Sequence, residues 1–396
     1  GYEADINNPL QASTQVFGDG NLANGAAPGV TSDAGDVLVA GQTVILSNAV
    51  NPASPLTLDY DGRDKIGSTQ AVAVTRAGWS ITPGTVLAGA VNLIDAGNAG
   101  KVYTLPVGQN VDTVASGTNR LFEYTSAHLI ATENGTVIEV DKDGNGTVDL
   151  TFTLNEGETY FLNGGLHAGG RIVASKGIGV YLIAGDVGSA YENRWFSLVP
   201  DEQWASSYYA PVGTTLTADP SYVVLYNPNP APITVSYETG SGSGTISVPA
   251  TGSRTGYFLM PASAARFYTA DGSKFYAVGV IDADATDNAT HDWSYSLIPQ
   301  SYLTDRFVVA WGPGYDKTAS PTPNLATTAN GSPVWMTPLG DTRVRIDNIA
   351  DITRFRMLGA NGTAVSGTAV GGNTYEFAVK RLQSYRIFDD TDKDQT

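Results

Sequence analysis

Short apolar runs separated by turn-forming residues fill most of this chain. Between residues 157 and 200 four stand out: Tyr160-Phe161-Leu162, Arg171-Ile172-Val173-Ala174, Gly179-Val180-Tyr181-Leu182-Ile183 and Trp195-Phe196-Ser197-Leu198-Val199. Gly, Asn, Asp and Ser lie between them. Such runs predict strands, because β-branched and aromatic side chains suit a pleated, half-buried surface. The alternation hardly stops from residue 36 to residue 388, and no segment carries convincing helical periodicity. The fold class read from this pattern is all-β.

The pattern recurs. Tyr257-Phe258-Leu259, Lys274, Val278-Gly279-Val280 and Trp293-Ser294-Tyr295-Ser296-Leu297-Ile298-Pro299 repeat the stretch from Tyr160 to Pro200. A weaker copy runs from Gly41 through Lys65 and Val72-Ala73-Val74 to Trp79, and another opens at Gly372. A second kind of meander lies between them, opening at Val102-Tyr103, Ser207-Tyr208 and Phe307-Val308. Units therefore begin near residues 43, 102, 159, 208, 256, 306 and 374. A four-stranded unit of roughly 50 residues, repeated radially, is a propeller pattern. The expectation is a seven-bladed β-propeller-like ring, with tandem β-sandwiches as the alternative, since eight strands in roughly 100 residues also make two packed sheets.

The chain divides into an extended N-terminal segment, 1–35, a repeated body, 36–388, and an acidic tail, 389–396. A long Pro-, Thr-, Asn- and Gly-rich interruption spans 312–333. The last unit offers only the strands 374–379 and 384–388, and an open edge invites pairing. Either 36–39 closes a ring within the chain, or 1–35 completes a neighbouring molecule by strand addition.

Charged residues make up only 15% of the chain, and the net charge is −17. Such acidity argues against nucleic acid and anionic membrane as partners. There is no cysteine, which removes disulfides, zinc-thiolate sites and cysteine nucleophiles. No apolar run approaches the length of a transmembrane helix.

Gly157-Glu158-Thr159-Tyr160-Phe161-Leu162, then Gly170-Arg171-Ile172-Val173-Ala174, then Lys176 with Val180-Tyr181, resemble the N-terminal domain of IgG-Fc-binding-protein-like extracellular proteins. Gly177 stands where that family has Pro, and the family's following cysteine motif is missing. The resemblance implies an extracellular binding or adhesive module and brings no catalytic residues with it.

One motif is sharper than the rest. Asp141, Asp143, Asn145, Thr147 and Asp149 follow the ligand spacing of a calcium loop, with Gly146 at the turn and the Thr147 carbonyl as backbone ligand. Position 12 is Phe152, so the bidentate carboxylate of a full EF-hand loop is absent, and a Gly-rich hairpin turn explains the same residues. Weaker acidic groupings are Asp282, Asp284, Asp287 and Asp292 in one loop and Asp389, Asp390, Asp392 and Asp394 in the tail. His128, His167 and His291 share no ligand spacing. Trp79, Trp195 and Trp293 occupy equivalent positions and are expected in the repeat core, while Trp204, Trp311 and Trp335 are candidates for ligand stacking. No residue set suggests an enzyme. The reading is an extracellular or cell-surface structural or adhesive protein with Ca²⁺-supported loops, which self-associates or binds other surface proteins or glycans. The alternative is a carbohydrate-binding or carbohydrate-cleaving β-propeller.

Overall fold

The computed structural model describes residues 89–111, 121–185, 194–213, 221–250, 256–281, 293–309, 334–349 and 351–389 except 354. It also describes short upstream pieces at 2–3, 14–15, 47–48, 65–66 and 70–78, and positions 68 and 187. All described regular structure apart from three single-turn 3₁₀ segments is strand, as the apolar alternation predicts.

The first module is built on one long strand, Arg171–Gly185. Its first half lies between Gly100–Thr104 and Thr136–Asp141, with Ile172 opposite both Tyr103 and Val140. Its second half lies between Tyr124–Ala131 and Arg194–Ser197, with Leu182 opposite both Ala127 and Phe196. Leu150–Leu154 extends the first layer and Thr159–Leu162 the second. Two four-stranded layers thus share one strand and form a single, nearly closed seven-stranded sheet. The register shifts between Val173 and Ile178, and Gly177 sits at that break, where a Cβ would press on Ala99 O and Thr132 Oγ1 at 3.1 Å. A glycine permits this close approach.

The second module repeats this neighbour order. Ser207–Ala210, Ala265–Tyr268, Ile233–Thr239 and Ser243–Val248 form one layer, and Gly256–Leu259, Ser221–Tyr226, Tyr276–Ile281 and Ser294–Ser296 the other. The long strand is here broken in two by a turn at Gly272, φ +79°, where Asp271 accepts from the Ser273 N–H at 3.0 Å. Phe258 of one layer packs on Phe267 (5.2 Å) and Tyr237 (4.5 Å) of the other. Phe152 and Tyr160 make the corresponding cross-layer contact at 4.0 Å in the first module.

This order corrects the expectation of seven propeller blades. A blade is a meander of consecutive strands, whereas here strands from two successive 50-residue units interleave, so the repeat is the pair of units. The unit starts near 102, 159, 208, 256 and 374 do coincide with strands. The one near 306 does not: residues 306–309 lie outside any described sheet, with Phe307 and Val308 exposed. The start near 43, the strand 36–39 and the interruption 312–333 lie outside the described residues.

A third, smaller module places Val334–Met336, Tyr385–Asp389 and Phe355–Gly359 in one sheet and Thr342–Ile346, Thr374–Val379 and Gly367–Gly371 in another. The two C-terminal strands are therefore each flanked on both sides by strands of their own module, and ring closure is not needed to pair them. At the other end, Tyr2–Glu3 pairs with Lys65–Ile66 and Thr14–Gln15 with Ser47–Asn48, within the same chain. One hydrophobic core runs through the first two modules, and Ile349, Met357, Phe377, Val379 and Tyr385 form a separate one in the third.

Each of the first two modules is locked by a buried tyrosine. Tyr103 Oη donates to Ile178 O (2.6 Å) and accepts from Gly100 N–H (3.0 Å). Tyr208 Oη donates to Phe275 O (2.8 Å) and accepts from Ala205 N–H (2.9 Å). Burial pushes both phenols well above the ordinary tyrosine range, so the hydroxyls remain neutral donors. Tyr208→Phe should destabilise the protein by about 1–3 kcal/mol, because it strands a part-buried N–H and a buried carbonyl together. Denaturant unfolding of the variant measures this, and an unchanged midpoint would show that the hydroxyl does not hold the module.

His128 stands in the strand Tyr124–Ala131 with its ring 4.6 Å from Phe161. Burial, and secondarily the charge of Arg76, lower its pKa to about 4. A histidine held neutral in the fold destabilises it once the unfolded chain can protonate. Stability should thus fall from about pH 6.5 to about pH 4 and change no further from this group below that. With allowance for solvent at a part-exposed ring, the loss is roughly 1–2 kcal/mol. His128→Gln should flatten that segment of the stability–pH curve, whereas an identical slope in the variant would assign the effect elsewhere.

Candidate functional site

The spacing Asp141 to Asp149 folds as the hairpin loop between Thr136–Asp141 and Leu150–Leu154. Gly144 and Gly146 take φ of +73° and +86°, the left-handed region that turns the chain back on itself. The loop closes around Asp141. Its Oδ1 accepts from Gly144 N–H (2.8 Å) and Asn145 N–H (3.2 Å), and its Oδ2 from Gly146 N–H (2.8 Å). Asn145 Oδ1 accepts from Thr147 N–H at 2.7 Å, and Asp149 Oδ2 from Lys142 N–H at 2.7 Å. Asp141, Asp143 and Asp149 each offer a carboxylate oxygen within 4.8 Å of the others, with Asp141 buried and the other two exposed. Among the described residues no salt bridge reaches any of the three.

Three carboxylates this close repel one another, and a hard cation offsets that repulsion. The donor set therefore fits a divalent ion held by oxygen ligands. Phe152, at the position of the absent bidentate ligand, is instead stacked on Tyr160. The loop also leans on the turn before the long strand: a Cβ at Gly144 would meet Gly169 O at 2.5 Å, and His167 N–H donates to Lys142 O.

The second concentration of polar contacts is at the junctions between modules. The last strand of the first module lies beside the last strand of the second. Ser296 Oγ donates to Ser197 O at 2.6 Å and Ser294 Oγ to Trp195 O at 2.9 Å. Ser197 Oγ in turn donates to Asn92 O at 2.6 Å, in the hairpin of Thr75–Gly78 and Gly89–Asn92. A short 3₁₀ turn follows each of these strands, at Ala96–Asn98, Asp201–Gln203 and Gln300–Tyr302. The middle turn reaches back: Asp201 accepts from Thr104 N–H (2.6 Å) and Thr104 Oγ1 (2.7 Å). Arg194, fully buried, donates to Leu121 O and Ile281 O and so spans both modules.

Trp195 faces Ile183 across the ladder, and Ile281 N–H donates to Trp293 O, so the two tryptophans are equivalent. Both are half-buried, which corrects the expectation of core positions. Trp195 sits on its module's last strand and Trp293 just before its own, where Trp195 meets the Arg76 guanidinium at 5.6 Å and Trp293 meets Trp335 of the third module at 6.5 Å. Trp204, a candidate stacking platform in the sequence, is instead buried against Tyr276 and Tyr226, with Nε1 donating to Val199 O. Asp282 to Asp292, His291, Trp79, Trp311 and residues 390–396 lie outside the described residues. The junction residues Asp201 and Arg194 carried no sequence signal beyond their place next to the repeated Trp and Pro.

The family model described as IgGFc binding protein matches residues 99–384, well over half of the chain and all of the first two modules. No curated protein and no solved structure matches. The matched segment begins with the first strand of the first module and ends within the third, and it contains the motifs that carried the resemblance. The chain belongs to the IgGFc binding protein family.

Proposed function

We propose that this chain is an extracellular surface protein of structural or adhesive type, whose stacked β-modules present binding surfaces to other proteins or glycans. One observation carries the reading: the family match spans two modules of identical strand order, joined edge to edge by serine-to-carbonyl bonds. Stacked repeats that bury a common core and leave their faces to solvent are architectures for binding. Labelling of intact source cells with an antibody against the modules should find the protein outside. Full protection from added protease until the cells are lysed would overturn the surface assignment.

Calcium belongs to the same proposal. Asp141, Asp143, Asn145 and Asp149 would hold the ion through side-chain oxygens and Thr147 through its carbonyl. A bound ion would supply positive charge to the carboxylate cluster and fix the loop against the turn before Arg171. Ligand that binds only the folded state stabilises it by about 2.7 kcal/mol at a hundredfold excess over Kd. The melting temperature in millimolar Ca²⁺ should therefore exceed that in excess chelator, and Asp143→Asn should remove the difference while leaving the chelator value nearly unchanged. Coincident melts of the unaltered chain with and without Ca²⁺ would leave the loop a plain hairpin turn.

A further inference from the structure

The two large modules differ at one junction position, and the difference leaves an arginine facing an open groove. In the first module Arg171 stands opposite Thr104 in the ladder. The Asp201 carboxylate, brought by the 3₁₀ turn after Pro200, takes the Thr104 N–H and hydroxyl and feels the charge of Arg171. In the second module Arg266 occupies the equivalent place, opposite Tyr209. The turn after Pro299 there brings Gln300, a neutral amide.

Among the described residues no salt bridge reaches Arg266. Its Nη2 is 3.5 Å from Gln300 Oε1, its Nε donates to Ser207 Oγ at 3.3 Å, and its guanidinium lies over Tyr268 at 4.5 Å and Tyr209 at 5.9 Å. Its cross-strand neighbour Glu238 feels its charge, but that carboxylate is engaged by Arg381 of the third module. Arg266 lines a shallow groove of about 470 Å³ with Ser206, Ser207, Tyr268, Thr269 and Gln300. Guanidinium prefers carboxylate to amide as a partner, because the carboxylate can accept two charge-assisted bonds from the planar fork.

We propose that this groove binds the carboxylate of an acidic saccharide, which pairs with Arg266 beside the neutral Gln300 amide. The hydroxyls of Ser206 and Ser207 and the Gln300 amide then meet the hydroxyls of the sugar ring. The volume is that of a small-ligand site, and a lining of hydroxyls and one amide matches a sugar better than an apolar group. A protein partner would require an interface of at least about 1,000 Å², of which this groove would be a small part.

The test is titration of the full chain with trigalacturonate, with neutral galactose and with a hexa-aspartate peptide, followed by calorimetry. Trigalacturonate should bind saturably, and galactose should not. Arg266→Gln should weaken trigalacturonate binding at least tenfold. Gln300→Glu supplies a competing carboxylate from the chain itself and should weaken binding at least tenfold while the melting temperature is kept or raised. Binding that survives both substitutions, or no binding by the unaltered chain, would overturn the site. Stronger Arg266-dependent binding of the aspartate peptide than of trigalacturonate would overturn the sugar assignment.

Discussion

A single buried hydroxyl sets the geometry of each large module. Tyr103 and Tyr208 reach from the first strand to the carbonyl where the chain crosses into the second layer, Ile178 midway along Arg171–Gly185 and Phe275 just before Tyr276–Ile281. They also accept the N–H three residues before themselves. A phenol in such a place has to be satisfied on both sides, because an unpaired polar atom at that depth costs more than the bond returns. The bond therefore fixes where the chain enters the module and where the two layers separate. The 3₁₀ turn before the first strand, the stacking of modules and the position of the junction residues all follow from that entry point. Gly100 has the same origin: the entry is so tight that a Cβ there would meet the Pro200 ring at 2.1 Å.

Because the two modules share one frame, comparing them separates framework from specialisation. Tyr103 and Tyr208 hold equivalent places and make equivalent bonds, and Pro200 and Pro299, like Trp195 and Trp293, hold equivalent places. The differences fall elsewhere. Asp141 and Glu238 are the same ladder position, opposite Arg171 and Arg266. In the first module that carboxylate anchors the nine-residue acidic loop. In the second the hairpin is short, closing through Thr239 and Gly242, and the carboxylate pairs with Arg381 instead. Asp201 and Gln300 diverge at the junction in the same way. A charged residue on a shared scaffold can be reassigned without disturbing the core, since the ladder and the tyrosine bond do not depend on it.

Strand content, the repeats and the acidic loop were legible in the sequence because each is a local signal: apolar alternation, turn residues and ligand spacing. Strand neighbours were not, because period-two alternation says which residues face inward but not which strands lie side by side. The run from Arg171 to Ile183 shows the limit. It reads as two strands, and its counterpart in the second module is two strands, separated by the turn at Asp271 and Gly272. With Ser175, Lys176 and Gly177 in place of that turn, the chain runs straight on as Arg171–Gly185 and joins two layers into one sheet. Trp195 and Trp293 were placed correctly with respect to one another but not with respect to solvent, since edge-strand tryptophans and core tryptophans give the same spacing. Arg266 became visible only beside Arg171.

The edges explain why the modules stack. A terminal strand such as Arg194–Ser197 presents unpaired carbonyls along its outer side, and an uncovered edge of this kind invites uncontrolled pairing. Here the carbonyls of Trp195 and Ser197 are taken by Ser294 and Ser296 of the following module, and that of Asn92 by Ser197. A hydroxyl donor covers the edge without extending the ladder, so each junction has one register and one direction, and the modules join without fusing into one sheet. The third module attaches differently, by Trp335 against Trp293, Arg381 on Glu238, and the Ser384 hydroxyl on Pro211 O. It has its own strand order and its own core, so side chains do there what edge strands do between the first two. The groove at Arg266 lies in the second module, where the turn after the last edge strand brings Gln300 to the position that Asp201 holds in the first.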